Sequence, residues 1–421
     1  MTDSTPIQRE PPDTTDVSGG GSQALEGVRV VELGQMISAP YCARLFAELG
    51  ADVVKVESPE GDLARRIGPF PGGEPHPEKS GLFFVNNTSK RGVTCRVDAD
   101  QGREIFLELL KTADVLIENN LPRQMQAWRL DYEAVARVNP SLVMISLTPY
   151  GQSGPYSGWK GYDLNAYHLS GASWRYCGNP GEMPLQHGTY SADYFGAAAG
   201  AAWGMAALFG RDAVGGQHLD VSCAEAIAAT FVGAANIAAT VVEGRNERRT
   251  GRGNALSAPA TILPCRDGHV WMMVMEPGQW RGLRTAMGDP SWAQSEMFDD
   301  TRARAEHEDI VYPMVKEWCL ARDKMDLMEL CQAHGCPVSA ILDVAEVLEQ
   351  PHLRERGYFV DVEHPHLGKV RVMASPFRMS GSPARPPGPA PLLGQHNEDV
   401  WQQRVGLPAG DVARLRQQGM L

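Results

Sequence analysis

The stretch Leu25-Glu26-Gly27-Val28-Arg29-Val30-Val31-Glu32-Leu33, followed by an apolar-faced segment from Ala39 to Leu49 and then Asp52-Val53-Val54-Lys55-Val56-Glu57, decides the fold. Val28 to Leu33 and Asp52 to Glu57 are β-branched runs of strand length, and the segment between them carries helical spacing. A strand, a helix and a second strand in so short a span form a βαβ unit with parallel strands. Further strands are expected at 93–97, 114–118 and 142–147, with amphipathic helices at about 99–111 and 131–138. Strands alternating with helices predict an α/β fold with a doubly wound parallel sheet.

The loop after the first strand, Glu32-Leu33-Gly34-Gln35-Met36-Ile37-Ser38, lacks the G-x-G-x-x-G turn that lets a backbone approach a pyrophosphate. NAD or FAD bound in the usual way is therefore not expected. The chain also has no phosphate-cradling G-x-x-x-x-G-K-[ST] loop and no G-x-S-x-G elbow. An anionic ligand would depend on side-chain charges, and Arg65-Arg66, Lys90-Arg91, Arg123 and Lys160 stand near expected strand ends or loops.

The chemistry concentrates at His187-Gly188-Thr189-Tyr190-Ser191-Ala192-Asp193-Tyr194-Phe195-Gly196. From Tyr194 to Gly210 the chain has no charge and is dominated by Ala and Gly, which predicts a buried helix. Gly196, Gly200 and Gly204 recur every four residues, so they share one helical face that another backbone can approach closely. Asp193 falls at the helix N-terminus, where amide N–H groups and the macrodipole favour an ionised carboxylate at neutral pH. Such a group is either a helix cap or a nucleophile, and local sequence leaves both open.

Farther on, Gln217 to Ser222 reads as a strand and leads into an Ala-rich helix reaching about Val242. Residues 243–259 form a polar, glycine-rich loop containing Gly251-Arg252-Gly253-Asn254. A hairpin at 261–265 and 269–275 turns on Arg266-Asp267-Gly268, and helices follow at about 277–287, 300–322 and 324–334. The strict alternation has broken here, which marks a smaller α+β domain at 230–335. From Pro337 onward come a strand (337–342), a helix (343–350), a hairpin (357–363 with 369–373), a proline-rich arm (383–392) and a last helix (409–419). Residues 1–24, rich in Thr, Ser, Pro, Gly and Asp, read as a disordered tail.

A formal net charge of -12 argues against general nucleic-acid or acidic-membrane binding. The eight cysteines have no framework of close spacings, which suits free thiols in a reducing compartment. Cys331 and Cys336 flank His334, but no second ligand pair stands at finger-like spacing, so no metal site is expected. The N-terminus shows no basic segment followed by an apolar one. The 194–210 run is too rich in Ala and Gly for a membrane span. A cytoplasmic location is the expectation.

The chain resembles the class III (CaiB/BaiF) CoA-transferases, a family that includes formyl-CoA transferase and crotonobetainyl-CoA:carnitine CoA-transferase. The resemblance runs from about Leu25 to Leu407 and rests on stretches in fixed order. These are the Leu25–Glu32 and Leu49–Glu57 segments, Ser89-Lys90-Arg91, Ala113–Asn119, Gly161-Tyr162-Asp163, Ser191–Gly196, Ser375-Pro376-Phe377 and Ala390–His396. It implies a Rossmann-like large domain built from both chain ends, 25–229 with 336–421, around the inserted small domain, in an interlocked homodimer. It implies acyl-CoA and a carboxylic acid as substrates, with no tightly bound cofactor. Asp193 matches the family's catalytic aspartate, which passes through an aspartyl anhydride and an aspartyl-CoA thioester. Lys90, Arg91 and Asn119 match nucleotide contacts, Lys160 and Tyr162 the acyl pocket, and Gln35 a position near the thioester. A basic position that formyl-CoA transferase uses is Ala127 here.

Two rival functions fit part of the same pattern. An α-methylacyl-CoA racemase shares the fold and pairs the aspartate with a histidine in a Gly-His-Asp motif, which here reads Gly161-Tyr162-Asp163. Tyrosine is a far weaker base than histidine near pH 7, although His168 and His187 lie close in sequence. A non-catalytic subunit of a heteromeric transferase would need no nucleophile.

Overall fold

The computed structural model describes residues 23–246, 248–249 and 257–421. Nearly all of the expected tail and the whole 251–254 glycine-rich stretch lie outside the described residues. Six strands, β1 (Arg29–Leu33), β2 (Asp52–Glu57), β3 (Arg91–Thr94), β4 (Val115–Glu118), β5 (Val143–Thr148) and β6 (His218–Ser222), form one sheet in the order β3-β2-β1-β4-β5-β6. Every neighbouring pair is parallel. This is a Rossmann-like α/β sheet, and its strand order reverses between β1 and β4.

The chain divides into two compact units. The first takes in residues up to Lys160, Gly196–Ser222 and Val360–Leu421. Its strands are buried on both faces, as a parallel sheet requires, and so read as near-continuous apolar runs. One face packs Val30, Val53, Val115 and Ile145 against Ala43, Phe46 and Ala201 from covering helices. The other packs Val54, Leu116 and Met144 against Phe106 and Leu109, with Trp401 and Leu415 from the chain's C-terminal end.

The glycine-faced helix runs Ser191–Val214. A Cβ on Gly204 would stand 2.3 Å from Ile145 Cδ1, and one on Gly200 2.8 Å from Leu147 Cδ2. The glycine face is therefore spent within the chain, on β5.

The second unit takes in Gly161–Phe195 and Cys223–Phe359. Strands β7 (Ala260–Cys265), β8 (Gly268–Met273) and β9 (Val338–Ala340) form an antiparallel sheet. Trp280, Leu283, Val311, Val315 and Leu327 from its helices complete a separate core. This division differs from boundaries at 230 and 335 for two physical reasons. Ala166, Tyr167 and Ala192 share a core with Cys223, Ala224 and Ile227, which draws 161–195 into the second unit. The strand expected at 337–342 pairs with β8, so it also stays there. A two-stranded sheet of β10 (Phe359–His364) and β11 (Gly368–Met373) follows.

Two expected helices are segmented. The 300–322 helix breaks at His307, whose backbone leaves helical geometry between Thr301–Glu306 and Glu308–Leu320. The Ala-rich helix comprises Cys223–Ile227, a π-helical stretch at Ala228–Ile237 and Ala238–Glu243. No described helix is long and apolar enough to cross a membrane.

Unit one is pinned by a buried ion network at the ends of β1 and β2. Lys55 Nζ lies 2.7 Å from Glu32 Oε1 and 2.9 Å from Asp62 Oδ2, and Lys90 Nζ lies 2.7 Å from Glu32 Oε2. Arg65 donates to both oxygens of Glu57, at 2.7 and 2.8 Å, and to Glu78 Oε2 at 2.7 Å. Arg65 also reaches the Pro391 carbonyl at 3.1 Å, and Glu78 Oε1 accepts from Leu393 N–H, so the network anchors the C-terminal segment. Arg65 thus serves as structural charge, not as the free anion-binding charge its sequence position suggested. Removing one partner strands the others in a dry interior. Glu32→Gln should lower unfolding stability by about 3–5 kcal/mol, read as a lower urea midpoint at pH 7.

Candidate active site

Asp193 lies in the first turn of the Ser191–Val214 helix. It does not cap that helix. Asp163, the first residue of the Asp163–Leu169 helix, does so from outside: its Oδ1 accepts the Asp193 N–H at 3.0 Å, and the Ala192 amide also donates to it. Asn165 Oδ1 accepts the Tyr162 N–H at 3.0 Å and fixes the turn that presents Asp163. Among the described residues, the Asp193 carboxylate itself receives no hydrogen bond.

Electrostatics here depart from the sequence expectation. Burial, together with the neighbouring Asp163 charge, pushes the Asp193 carboxyl up to about 7. Asp193 is thus only partly ionised at neutral pH, because desolvation and a like charge outweigh the helix dipole. Burial also raises Asp163, while its bonds from the Asp193 and Ala192 amides pull the other way. Cys223 is buried beside both, and burial plus the two carboxylates lift its thiol well above the ordinary value.

The segment entering the helix is braced by aromatic and histidine contacts. His187 Nδ1 sits 2.7 Å from Ser191 Oγ, and the Tyr167 ring stacks on His187 with centroids 4.9 Å apart. Tyr167 OH lies 3.0 Å from Cys177 Sγ. His168 Nδ1 is 2.8 Å from Ser173 Oγ. Tyr162 is largely exposed at 78%.

In unit one, Gln35 and Asn119 meet at the strand-order reversal between β1 and β4. Gln35 N–H donates to Asn119 Oδ1 at 2.9 Å, and Asn119 Nδ2 donates to the Gln35 carbonyl at 2.7 Å and to Ser38 Oγ at 3.0 Å. Ligands of open α/β sheets bind at this kind of crevice. Met36 holds φ 65, a left-handed conformation costing about 1–3 kcal/mol for a non-glycine residue. Its N–H donates to Asp62 Oδ1 at 2.9 Å, so the ion network fixes the Gln35 loop.

The remaining basic candidates differ sharply. Lys90 is buried, and Nζ is surrounded by Glu32, Asn87 Oδ1 and the carbonyls of Pro40 and Asn86. Burial holds its pKa at about 8 against the pull of Glu32. Its three protons already have partners, so Lys90 shapes the loop and does not present a cation to a nucleotide, contrary to the sequence expectation. Arg91 is exposed and pairs with Asp52 at 3.2 Å. Lys160 is exposed at the end of unit one. Among the described residues, no group of three or more His, Cys, Asp or Glu is placed to hold a metal ion.

Comparison with known proteins identifies the family. The family model for CoA-transferase family III matches residues 25–397. The succinate–glutarate CoA-transferase of Agrobacterium fabrum is 30% identical over 89% of this chain and 94% of its own. The succinyl-CoA–L-malate CoA-transferase beta subunit of Chloroflexus aurantiacus is 30% identical, covering 93% and 96%. A CAIB/BAIF family protein from Brucella suis superposes with a TM-score of 0.80 at 28% identity, covering 91% of this chain and 99% of its own.

The raised carboxyl carries a stability cost with a definite sign. An unfolded aspartate titrates near 3.9, so the folded chain loses stability progressively from about pH 4 to about pH 7 and no further above that. Asp193→Asn should therefore melt higher than the wild type at pH 8, with the gap closing toward pH 4, in scanning calorimetry.

Proposed function

Because the chain belongs to CoA-transferase family III, we propose that this enzyme moves coenzyme A from an acyl-CoA donor to a carboxylic acid, with Asp193 as covalent nucleophile. The observation that carries this reading is the division of labour between two carboxylates. Asp163 caps the helix, and Asp193 in the first turn receives no donor among the described residues.

The ionised Asp193 oxygen attacks the thioester carbonyl; the C–S bond breaks, CoA thiolate leaves and a mixed anhydride forms. The thiolate then attacks the aspartyl carbonyl, releasing the donor acid as a carboxylate and leaving an aspartyl-CoA thioester. The acceptor carboxylate attacks that thioester, and the returning thiolate cleaves the second anhydride at the acyl carbon. Asp193 is regenerated, with no net proton consumed. A poorly solvated carboxylate of raised basicity is a stronger nucleophile than one in water. Acylation also removes its charge from beside Asp163, which favours the covalent states.

We assign Gln35, held by Asn119, together with Arg91, Lys160 and Tyr162, to substrate contact, and Lys90 to positioning the loop. The named relatives use succinate, glutarate and malate, so dicarboxylic acids are the first acceptors to test. Exposed Trp203 and Phe209, and separately Val241 and Val242, fit burial in an interlocked homodimer with an inserted small domain. A heteromeric partner is the alternative raised by the relative named as a beta subunit, and sedimentation of the chain alone separates the two. The racemase reading is the less favoured one, because Tyr162 stands where its motif has a histidine, while His168 and His187 each meet a serine through Nδ1.

Incubation with an acyl-CoA donor should leave CoA on the peptide containing Asp193, detected by mass spectrometry and cleaved by hydroxylamine. Asp193→Ala and Asp193→Asn should both lose exchange, by at least about 10³-fold. In the wild type, kcat/KM should rise with pH through about 7 as the carboxyl ionises. Normal exchange by the Asn variant would reduce Asp193 to a structural residue.

A further inference from the structure

Arg249 is buried, with 9% exposure, and has no carboxylate partner among the described residues. Its guanidinium donates instead to three carbonyls: Nε to Asn179 at 3.2 Å, Nη1 to Trp174 at 2.8 Å and Nη2 to Glu182 at 2.6 Å. It also lies 5.3 Å from the Trp174 ring centroid. A planar fork can gather three carbonyls from one loop, whereas an ammonium is a point charge.

These carbonyls belong to the segment that leads into the Asp193 helix. Leu185 N–H closes that loop onto the Cys177 carbonyl at 3.0 Å. Cys177 meets Tyr167, Tyr167 stacks on His187, and His187 holds Ser191, the first residue of the helix. An unbroken series of contacts therefore links Arg249 to the first turn that carries Asp193.

We propose that Arg249 is a positioning residue that locks the 174–190 segment into the wall beside Asp193, keeping that carboxylate dry and fixing the shape that the acid substrate meets. This rests on Asp193 being the nucleophile. The charged and thiol groups that act on Asp193 or lie beside it are Asp163 and Cys223, His168 and His187 lie beside Asp163, and none of the four contacts Arg249 among the described residues. Loosening the segment admits water to Asp193, and its ionisation then shifts toward the ordinary carboxylate range.

The test compares Arg249→Lys and Arg249→Met with the wild type in steady-state exchange from pH 5 to 9. KM for the acid acceptor should rise roughly ten- to a hundredfold, and the rising limb of the pH profile should move down by about one unit. Methylguanidinium should partly restore the Met variant. A merely structural role would reduce the amount of active enzyme without moving either the limb or KM, and that result in a folded variant overturns the proposal. If the Met variant does not fold, the Lys variant decides. Amide exchange at Leu185 in the Lys variant should quicken by at least about tenfold, and unchanged exchange counts against the clamp. Should the wild type form no Asp193 adduct, the nucleophile assignment has failed, while the Leu185 exchange still reports on Arg249 by itself.

Discussion

The hydrogen bond from the Asp193 amide to Asp163 is the contact on which the electrostatics around Asp193 depend. A helix N-terminus attracts negative charge, and a carboxylate in its first turn ordinarily folds back onto the free amides. Asp163 occupies that role from a different helix, so the dipole is satisfied without using Asp193. The two carboxylates then oppose each other electrostatically in a desolvated place; both are raised, and Asp193 is pushed up to about 7. The amides of Asp193 and Ala192 offset part of the rise at Asp163.

Unit one solves a related problem with charges of both signs. Glu32, Lys55, Asp62 and Lys90 are all buried, and each is closed off by an opposite charge or a carbonyl. Such a network adds little net stability over apolar packing, but it admits few alternative arrangements. Its product is geometric: Asp62 holds the Met36 amide, and the loop carrying Gln35 is thereby fixed against Asn119 at the reversal of strand order. The same network extends through Arg65 and Glu78 to residues 391–393, which lie far away in sequence.

Much of this was legible in the residues themselves. Val28 to Leu33 and Asp52 to Glu57 announce strands through their valine-rich stretches, and β1 and β2 fall within them. The four-residue spacing of Gly196, Gly200 and Gly204 announces a tight helical contact, although not that Ile145 and Leu147 are what it meets. The ionisation of Asp193 was not legible. Its position gave the dipole, whereas burial and the charge thirty residues earlier depend on how the helices pack. The fate of Lys90 was equally hidden, since a basic residue after a turn looks the same whether it faces solvent or Glu32. Arg249 gave no signal, because three backbone carbonyls leave no mark in the identity of Trp174, Asn179 and Glu182. The break at His307 shows the limit of periodicity, which registers a continuous apolar face across a change of direction.

With Asp193 as the proposed nucleophile, Cys223 beside it is a potential hazard. A thiol next to an activated acyl group invites transthioesterification, which would divert the group onto sulfur. Burial and the two neighbouring carboxylates keep this sulfur protonated, and so keep it a poor nucleophile. Under the proposed mechanism, the pair that leaves one oxygen reactive also silences a neighbouring thiol, so thioester traffic would pass without being captured.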